Sequence, residues 1–492
     1  MKKLVGLVVV IAALILGSYY GMGVITERTL KKNIGMMSQS NGVKVDIEQY
    51  HRGWFDSKAS LNWHLQAPAH EVTNQAGETT TVPAQDIQML MPLDICHGPI
   101  IFVNSKFMFG LGYAHSDVNL PQPYADQFKQ DYTAESTAPK LSMTIYVSFI
   151  NKSTFNLSVP GFKLISKEGS AKFEWFGLTS ELAVSSRGNN ISGDVSIAGL
   201  SLIKDAMSAM VTHVVSDYDF HRTSLGLYLG DANLKLSSAL IKQDEKVTAL
   251  KKLALHSSSD IQNGLFNSHF KATLETFAVN HKVYGPALLE LSITNLDAVT
   301  LAKINDQSNS MKQGPDAERQ HAILSLLPEL SKLVSKGAGI ELSEFSVVMP
   351  EGKMSGSMLF SLPGTTVDNP FQLIQKIKGQ GKFLCSEAVL KQLMTDSVKR
   401  DLQQQAASQA SVIEPVPADA ASAVPAPVAE TPAVPVVDVN QQAMTKANEK
   451  LTTMAQSGLL SLHGTDYVIE FKLAEGQLSV NGKPFNPAMM KY

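Results

Sequence analysis

The side chains of this sequence best suited to chemistry are twelve histidines, two cysteines and scattered serines and arginines, so their spacing comes first. No GxSxG, HExxH, P-loop, GxGxxG, EF-hand or kinase signature occurs, and no two histidines are spaced to share a helix face beside a carboxylate. The expectation is a protein that is not an enzyme, and no catalytic residue, metal ligand or cofactor is assigned. Ser268-His269-Phe270-Lys271 spells Ser-x-x-Lys, but it falls in a strand-like stretch, where residues three apart point to opposite faces.

Two places have a distinctive setting. His97 follows Cys96 and precedes Gly98-Pro99, which suits either an acid-base group or ligand, or a strand-ending turn whose imidazole bonds to backbone. Arg52 lies between Tyr50 and Trp54, so it is either a binder of lipid headgroup phosphate, with Trp54 beside it, or an arginine stacked on an aromatic ring. Arg52, His97 and His463 together define the alternative reading, a cell-envelope hydrolase with an unrecognised site. Cys96 and Cys385 are too few for a cysteine-rich zinc site. Paired in an oxidising compartment they would close a long loop and stabilise by about 5 kcal/mol in the chain-entropy model. Two separate buried thiols fit the sequence equally well.

The 492 residues are 18% charged and 44% hydrophobic with a formal net charge of −3, a globular composition without the basic excess that would collect nucleic acid. At the front, Lys2 and Lys3 precede an uncharged, mostly apolar run from Leu4 to Ile25, long enough to span a bilayer. A cleaved signal peptide is the rival reading, with Gly21-Met22-Gly23 as its small-x-small site. The apolar character continues past that site, and Tyr19 and Tyr20 suit a membrane interface, so an uncleaved anchor is expected. The short basic tail then stays cytoplasmic and residues 26–492 lie outside the cytoplasm.

Beyond the run, Glu27 to Met37 can continue a helix. Apolar alternation then predicts strands at Val43 to Ile47, Leu61 to Leu65, Leu141 to Phe149, Phe155 to Val159, Ala171 to Phe176, Leu182 to Ser185 and Ile191 to Ile197, with a turn at Arg187 to Asn190. Leu202, Ile203, Met207, Met210, Val211, Val214 and Val215 recur at helical spacing and predict a helix. More strands are expected over Ser224 to Leu229, Ala232 to Leu236, Val247 to Leu255, His269 to Val279 and Leu288 to Ile293. A second helix is expected from Asp316 to Ser335, stopped by Gly337-Ala338-Gly339. A hairpin follows, Ile340 to Val348 and Met354 to Leu362, so that the helix-then-hairpin order hints at a duplicated unit. Val389 to Leu402 forms a third helix and Gln441 to Leu460 a fourth. Between them, Ser411 to Val439 is an Ala/Pro/Val-rich spacer. The last strands run over Tyr467 to Leu473 and Leu478 to Val480.

Several short motifs occur in an order that resembles a family, the YdgA-like bacterial proteins of unknown function with an N-terminal membrane segment. The likeness is carried by Tyr50, Arg52-Gly53-Trp54-Phe55 and Ser57, by His97-Gly98-Pro99, by Gly285-Pro286 ahead of Asn295-Leu296-Asp297-Ala298, and by Asp466-Tyr467 to Asn481-Gly482-Lys483-Pro484. It covers almost the whole chain, with residues 411–439 as an insertion. The resemblance implies a bacterial inner-membrane-anchored envelope protein and supplies no catalytic residues.

The expected architecture is α+β: a large curved antiparallel β-sheet with a few amphipathic helices on its concave side, plus one transmembrane helix. Its parts are residues 1–25 as anchor, 26–410 as a β-rich periplasmic body, 411–439 as linker and 440–492 as a closing helix and hairpin. The expected function is a membrane-tethered scaffold or binder of apolar, lipid-like ligands. The membrane and a lipid or envelope-protein partner are expected, nucleic acid is not, and homodimerisation is left open.

Overall fold

The structure is a computed structural model that describes residues 2–37, 43–67, 69–73, 79–103, 105–120, 122–169, 171–311, 329–364, 375–410 and 439–485. The expected spacer at 411–439 lies, up to residue 438, outside the described residues, as does most of the helix expected over 316–335. Contacts divide the chain into two compact units, Met1–Ser259 with Ala278–His281, and Asp260–Phe277 with Lys282–Tyr492.

The first unit opens with helix α1, Lys2–Met37, whose residues 2–12 are described by their backbone alone. Among the described residues no helix is long and apolar enough to cross a membrane. Strands β1 (Val43–Arg52), β2 (Asp56–Ala67), β3 (His70–Thr73), β4 (Thr79–Val82), β5 (Gln85–His97), β6 (Ile101–Val103), β7 (Lys106–Met108) and β8 (Gly112–Asn119) precede a short helix α2 (Gln122–Asp131). Then come β9 (Lys140–Val147), β10 (Ser153–Val159), β11 (Phe162–Ile165), β12 (Ala171–Val184), β13 (Asn190–Lys204), β14 (Met207–Arg222), β15 (Tyr228–Gln243) and β16 (Lys246–Gln262). All ladders in it are antiparallel, in the order β1, β2, β5, β8, β9, β10, β12, β13, β14, β15, β16, with β11 also on β12.

Side chains alternate along a strand, and residues paired across an antiparallel ladder share a face. One row reads Ile95, Ala114, Ile145, Phe155, Leu182, Gly193, Tyr218 and Ala232 from β5 to β15. The row beside it, pointing the other way, reads His115, Thr144, Asn156, Glu181, Asp194, Asp217, Asn233 and His256. One face of the sheet is therefore apolar and the other polar, as the sequence alternation predicts. Helix α1 lies on the apolar face at β1, β5 and β8, where Ile34 joins Val45, Ala59, Leu61, Met91, Leu93, Ile95 and Val118 in a buried cluster.

The helix expected over Leu202 to Val215 does not exist: Leu202 and Ile203 lie in the last residues of β13, which ends at Lys204, Asp205-Ala206 make a turn, and Met207 begins β14. The apolar spacing belongs to two alternating strands joined by a tight turn, with His213 at φ 47° resetting the alternation inside β14. The apparent duplication of a helix-then-hairpin unit disappears with it. Ser224 to Leu227 form a turn rather than a strand, closed by the Leu227 carbonyl accepting from the Thr223 N–H at 2.8 Å.

The second unit contains β17 (Leu265–Val279), β18 (Lys282–Tyr284), β19 (Ala287–Asp297), helix α3 (Ala298–Met311), the hairpin β20 (Gly339–Met349) and β21 (Gly352–Ser361), then β22 (Lys378–Ser386). Helices α4 (Glu387–Ala410) and α5 (Val439–Ser457) follow, then β23 (Ser461–His463), β24 (Asp466–Ala474), β25 (Gln477–Val480) and β26 (Lys483–Pro484). The expected 340–362 hairpin and the two late helices are present. Val398 of α4 packs on Ala443 and Ala447 of α5, and α4 lies against β21, β22 and β24. Asn481 stitches the closing hairpin: its amide donates to the Gly458 and Leu459 carbonyls at 3.1 Å and its oxygen accepts from the Glu470 N–H at 2.8 Å.

Helix α3 was not expected. Asp297 caps it, its Oδ1 accepting from the Thr300 N–H at 2.9 Å and from the Thr300 hydroxyl at 2.7 Å. Asp297→Ala should cost about 0.5 to 2 kcal/mol. Hydrogen exchange of the amides from Val299 to Ala302 is expected to speed up accordingly, before the rest of the unit opens.

Candidate functional site

Arg52, Trp54 and His97 all converge on α1. Strand β1 ends at Arg52, and the Gly53 N–H bonds to the Asp56 carbonyl at 2.8 Å, so Trp54 and Phe55 form the tip of a tight connection to β2. The Arg52 guanidinium donates to Glu27 Oε2 at 2.7 Å and to the Tyr20 hydroxyl at 3.1 Å, and lies 5.0 Å from the centre of the Tyr20 ring. Trp54 tilts against the same ring at 5.3 Å, while Phe55 meets Tyr19 edge-on at 5.0 Å. The arginine's polar contacts are thus made to α1.

His97 ends β5 and is 1% exposed. Its Nδ1 is 3.2 Å from the Tyr19 carbonyl and its Nε2 is 3.0 Å from the Ser57 hydroxyl, itself 2% exposed. A carbonyl oxygen only accepts, so Nδ1 carries a hydrogen, and in the neutral ring Nε2 accepts a hydrogen bond from the Ser57 hydroxyl. The geometry is that of a serine–histidine dyad, but it is sealed beneath the helix. Gly23 passes directly over the imidazole, where an added Cβ would lie 2.6 Å from the ring. Beside it, the Tyr19 hydroxyl donates to the Ile100 carbonyl at 2.7 Å.

Glu27 binds both Arg52 and, at 2.7 Å, Lys31. The Lys31 hydrogen bond first, and the Arg52 charge after it, hold the Glu27 carboxyl below its ordinary value of 4.5. A lowered folded pKa means stability that is full above that ordinary value and is lost as pH falls through the folded one. With both partners partly solvated, the contribution is at most about 1 kcal/mol. Glu27→Gln should therefore unfold at a lower urea concentration than wild type at pH 7, and the difference should shrink as the pH is taken progressively below 4.5.

Cys96 and Cys385 are free thiols, one in each unit, and burial pushes both pKa values up. His463 lies exposed in the second unit on the β23–β24 hairpin, opposite Asp466. Ser268-His269-Phe270-Lys271 lies within β17, so its serine and lysine fall on opposite faces. Among the described residues, no group of three or more His, Cys, Asp or Glu side chains is arranged to hold a metal ion.

The sequence marks Tyr19 and Tyr20 only as interface residues, Gly23 only as part of a small-x-small site and Glu27 only as the start of a helical stretch, and none of them as a partner of His97 or Arg52. The missed signal was the spacing of Tyr19, Gly23, Leu30 and Ile34, which places them on one helical face.

Compared with known families, residues 1–488 match the family described as a bacterial protein of unknown function, DUF945. The chain belongs to this family. The DUF945 match takes in α1 together with the residues that hold it, so helix and sheet lie within one family unit. No curated protein matches this DUF945 chain.

Proposed function

We propose that this DUF945 chain is a non-enzymatic, membrane-tethered protein of the bacterial cell envelope, held in the inner membrane by its first helix with the bulk of the chain in the periplasm, whose sheet cradles apolar, lipid-like ligands. One observation carries the reading. The apolar face that α1 covers at β1, β5 and β8 continues across β9 to β16, where Leu157, Val195, Leu234 and Leu255 follow one another in register through Ser180 and Ser216. These side chains are half-buried or, for Leu234, exposed, and the neighbouring row on the same face, Val159, Leu178, Ile197, Val214, Leu236 and Leu253, is apolar without a break, a surface that fits an acyl chain. The burial of Ser57 and His97 argues against hydrolysis, since a substrate needs access to the nucleophile.

The anchor reading draws on the docked helix. Cleavage at Gly21-Met22-Gly23 would remove Tyr19 and Tyr20 and with them the contacts to His97, Ile100, Phe55, Trp54 and Arg52. A leader destined for removal has no reason to be part of the mature protein's packing.

The test is native mass spectrometry of the full chain extracted in mild detergent. Co-purifying phospholipid is expected, and Leu234→Glu, which places a charge on an already exposed side chain of the apolar face, should strip it without changing the unfolding midpoint. A lipid-free protein, or a dimer whose interface Leu234→Glu breaks, would overturn the ligand reading.

A further inference from the structure

The same end of the first unit carries a second apolar feature. The register pairs Asp56 with Cys96, His97 with Gly112, Gly112 with Val147, and Val147 with Ser153, so the connections β1–β2, β5–β8 and β9–β10 all lie at one edge of the sheet. Loops that face water are normally polar. These end in large apolar side chains instead: Trp54 at the first, and Phe149 with Ile150, 78% exposed, at the third.

The middle connection holds the β6–β7 hairpin. Phe102 and Phe107 are paired across it, their rings 4.8 Å apart, and are 61% and 69% exposed. Phe109 is two residues on and 62% exposed, whereas Ile101 on the opposite face is buried. Lys106, near the turn, is exposed.

Helix α1 leaves the body at this edge. Its Tyr19 is fixed to His97 and Ile100, while Leu14, Ile15 and Leu16 before it are exposed. The length of the run gives the decisive constraint. Spanning the hydrocarbon core takes roughly 20 residues, but Tyr19 onward is held on the sheet, which leaves Leu4 to Ser18, about 15 residues or some 22 Å of helix. The shortfall closes when the edge that grips Tyr19 sits in the bilayer surface, without the bilayer having to thin around a short span.

We propose that the aromatic rim formed by Trp54, Phe102, Phe107, Phe109, Phe149 and Ile150 is an interfacial membrane-insertion surface that seats the body in the headgroup and upper acyl region beside the anchor. Aromatic side chains favour that layer, and Lys106 reaches anionic headgroups from the hairpin turn. The proposal rests on the anchor reading of α1, and its test separates the two.

Full-length protein is reconstituted into phosphatidylcholine/phosphatidylglycerol vesicles containing brominated lipid, and two variants, Leu14→Trp and Phe107→Trp, are compared with wild type for the added fluorescence. Both replace exposed side chains, so folding is preserved. Bromolipid is expected to quench both added tryptophans at least about twofold, as for indoles at membrane depth. Quenching at Leu14→Trp alone, with Phe107→Trp open to aqueous acrylamide, would leave the anchor and overturn the rim. Phe107→Trp shielded from both quenchers would mean that protein covers it, which also overturns the proposal. Quenching at neither position would overturn the anchor and the rim together.

Discussion

Gly98→Ala is expected to destabilise the first unit by about 3 to 5 kcal/mol, the sum of backbone strain and overpacking. Gly98 has φ +136°, a conformation L residues rarely adopt, and an added Cβ would stand 2.0 Å from the Tyr19 ring. The ring cannot move aside freely, because its hydroxyl is bound to the Ile100 carbonyl and its own carbonyl to His97. The loss should appear as release of α1: protease cuts between residues 13 and 34 that wild type resists, together with a lowered urea midpoint. All three tryptophans, Trp54, Trp63 and Trp175, lie in the first unit, so intrinsic fluorescence reports its unfolding selectively. Adding Tyr19→Ala should recover part of the loss by making room, a non-additivity that independent sites would not show. A Gly98→Ala protein as stable as wild type would mean that α1 is not held there.

Leu93→Ala is the second large effect, at about 2 to 5 kcal/mol. Leu93 is 2% exposed in the cluster shared by α1 and the sheet, so truncation leaves a cavity that stiff strands close poorly. Leu234→Ala makes the same chemical change on the same sheet, but at an exposed position, and should cost under about 1 kcal/mol. The contrast distinguishes the covered part of the apolar face from the open part: equal losses at the two positions would show that something also covers Leu234.

Much of this architecture is legible in the residues. The strand expected over Leu141 to Phe149, the hairpin around Pro350 to Lys353 and the helix beginning near Val389 each have one period and clear punctuation, and each is found there, except that the strand ends at Val147 and Phe149 falls in the turn after it. The Leu202 to Val215 error shows where period alone fails. Two strands with a two-residue turn, and a left-handed His213 in the second, place apolar residues at spacings of three and four. The β-branched Val211, Val214 and Val215 favoured the strand, but a short window could not weigh them against the spacing. The candidate site was half visible. Arg52, Trp54 and His97 drew attention by their neighbours, yet their partners Glu27, Tyr20 and Tyr19 lie 25 to 78 residues away. Local periodicity carries no information about contacts at that distance. Cap chemistry also hid α3, since Asp297 reads as the end of a strand until Thr300 is seen to close the turn.

The placement of Ile34 among Val45, Leu61, Met91 and Val118 has a further consequence for how the protein is made. The helix that completes this core precedes the strands it packs on, and Ile34 finds its last partner, Val118, only about eighty residues further along the chain, a long-range contact that forms late. A copy clipped between α1 and β1 would lack the piece that covers Leu93 and His97, and would present proteases with an open core. Losing α1 and opening the core are thereby the same event.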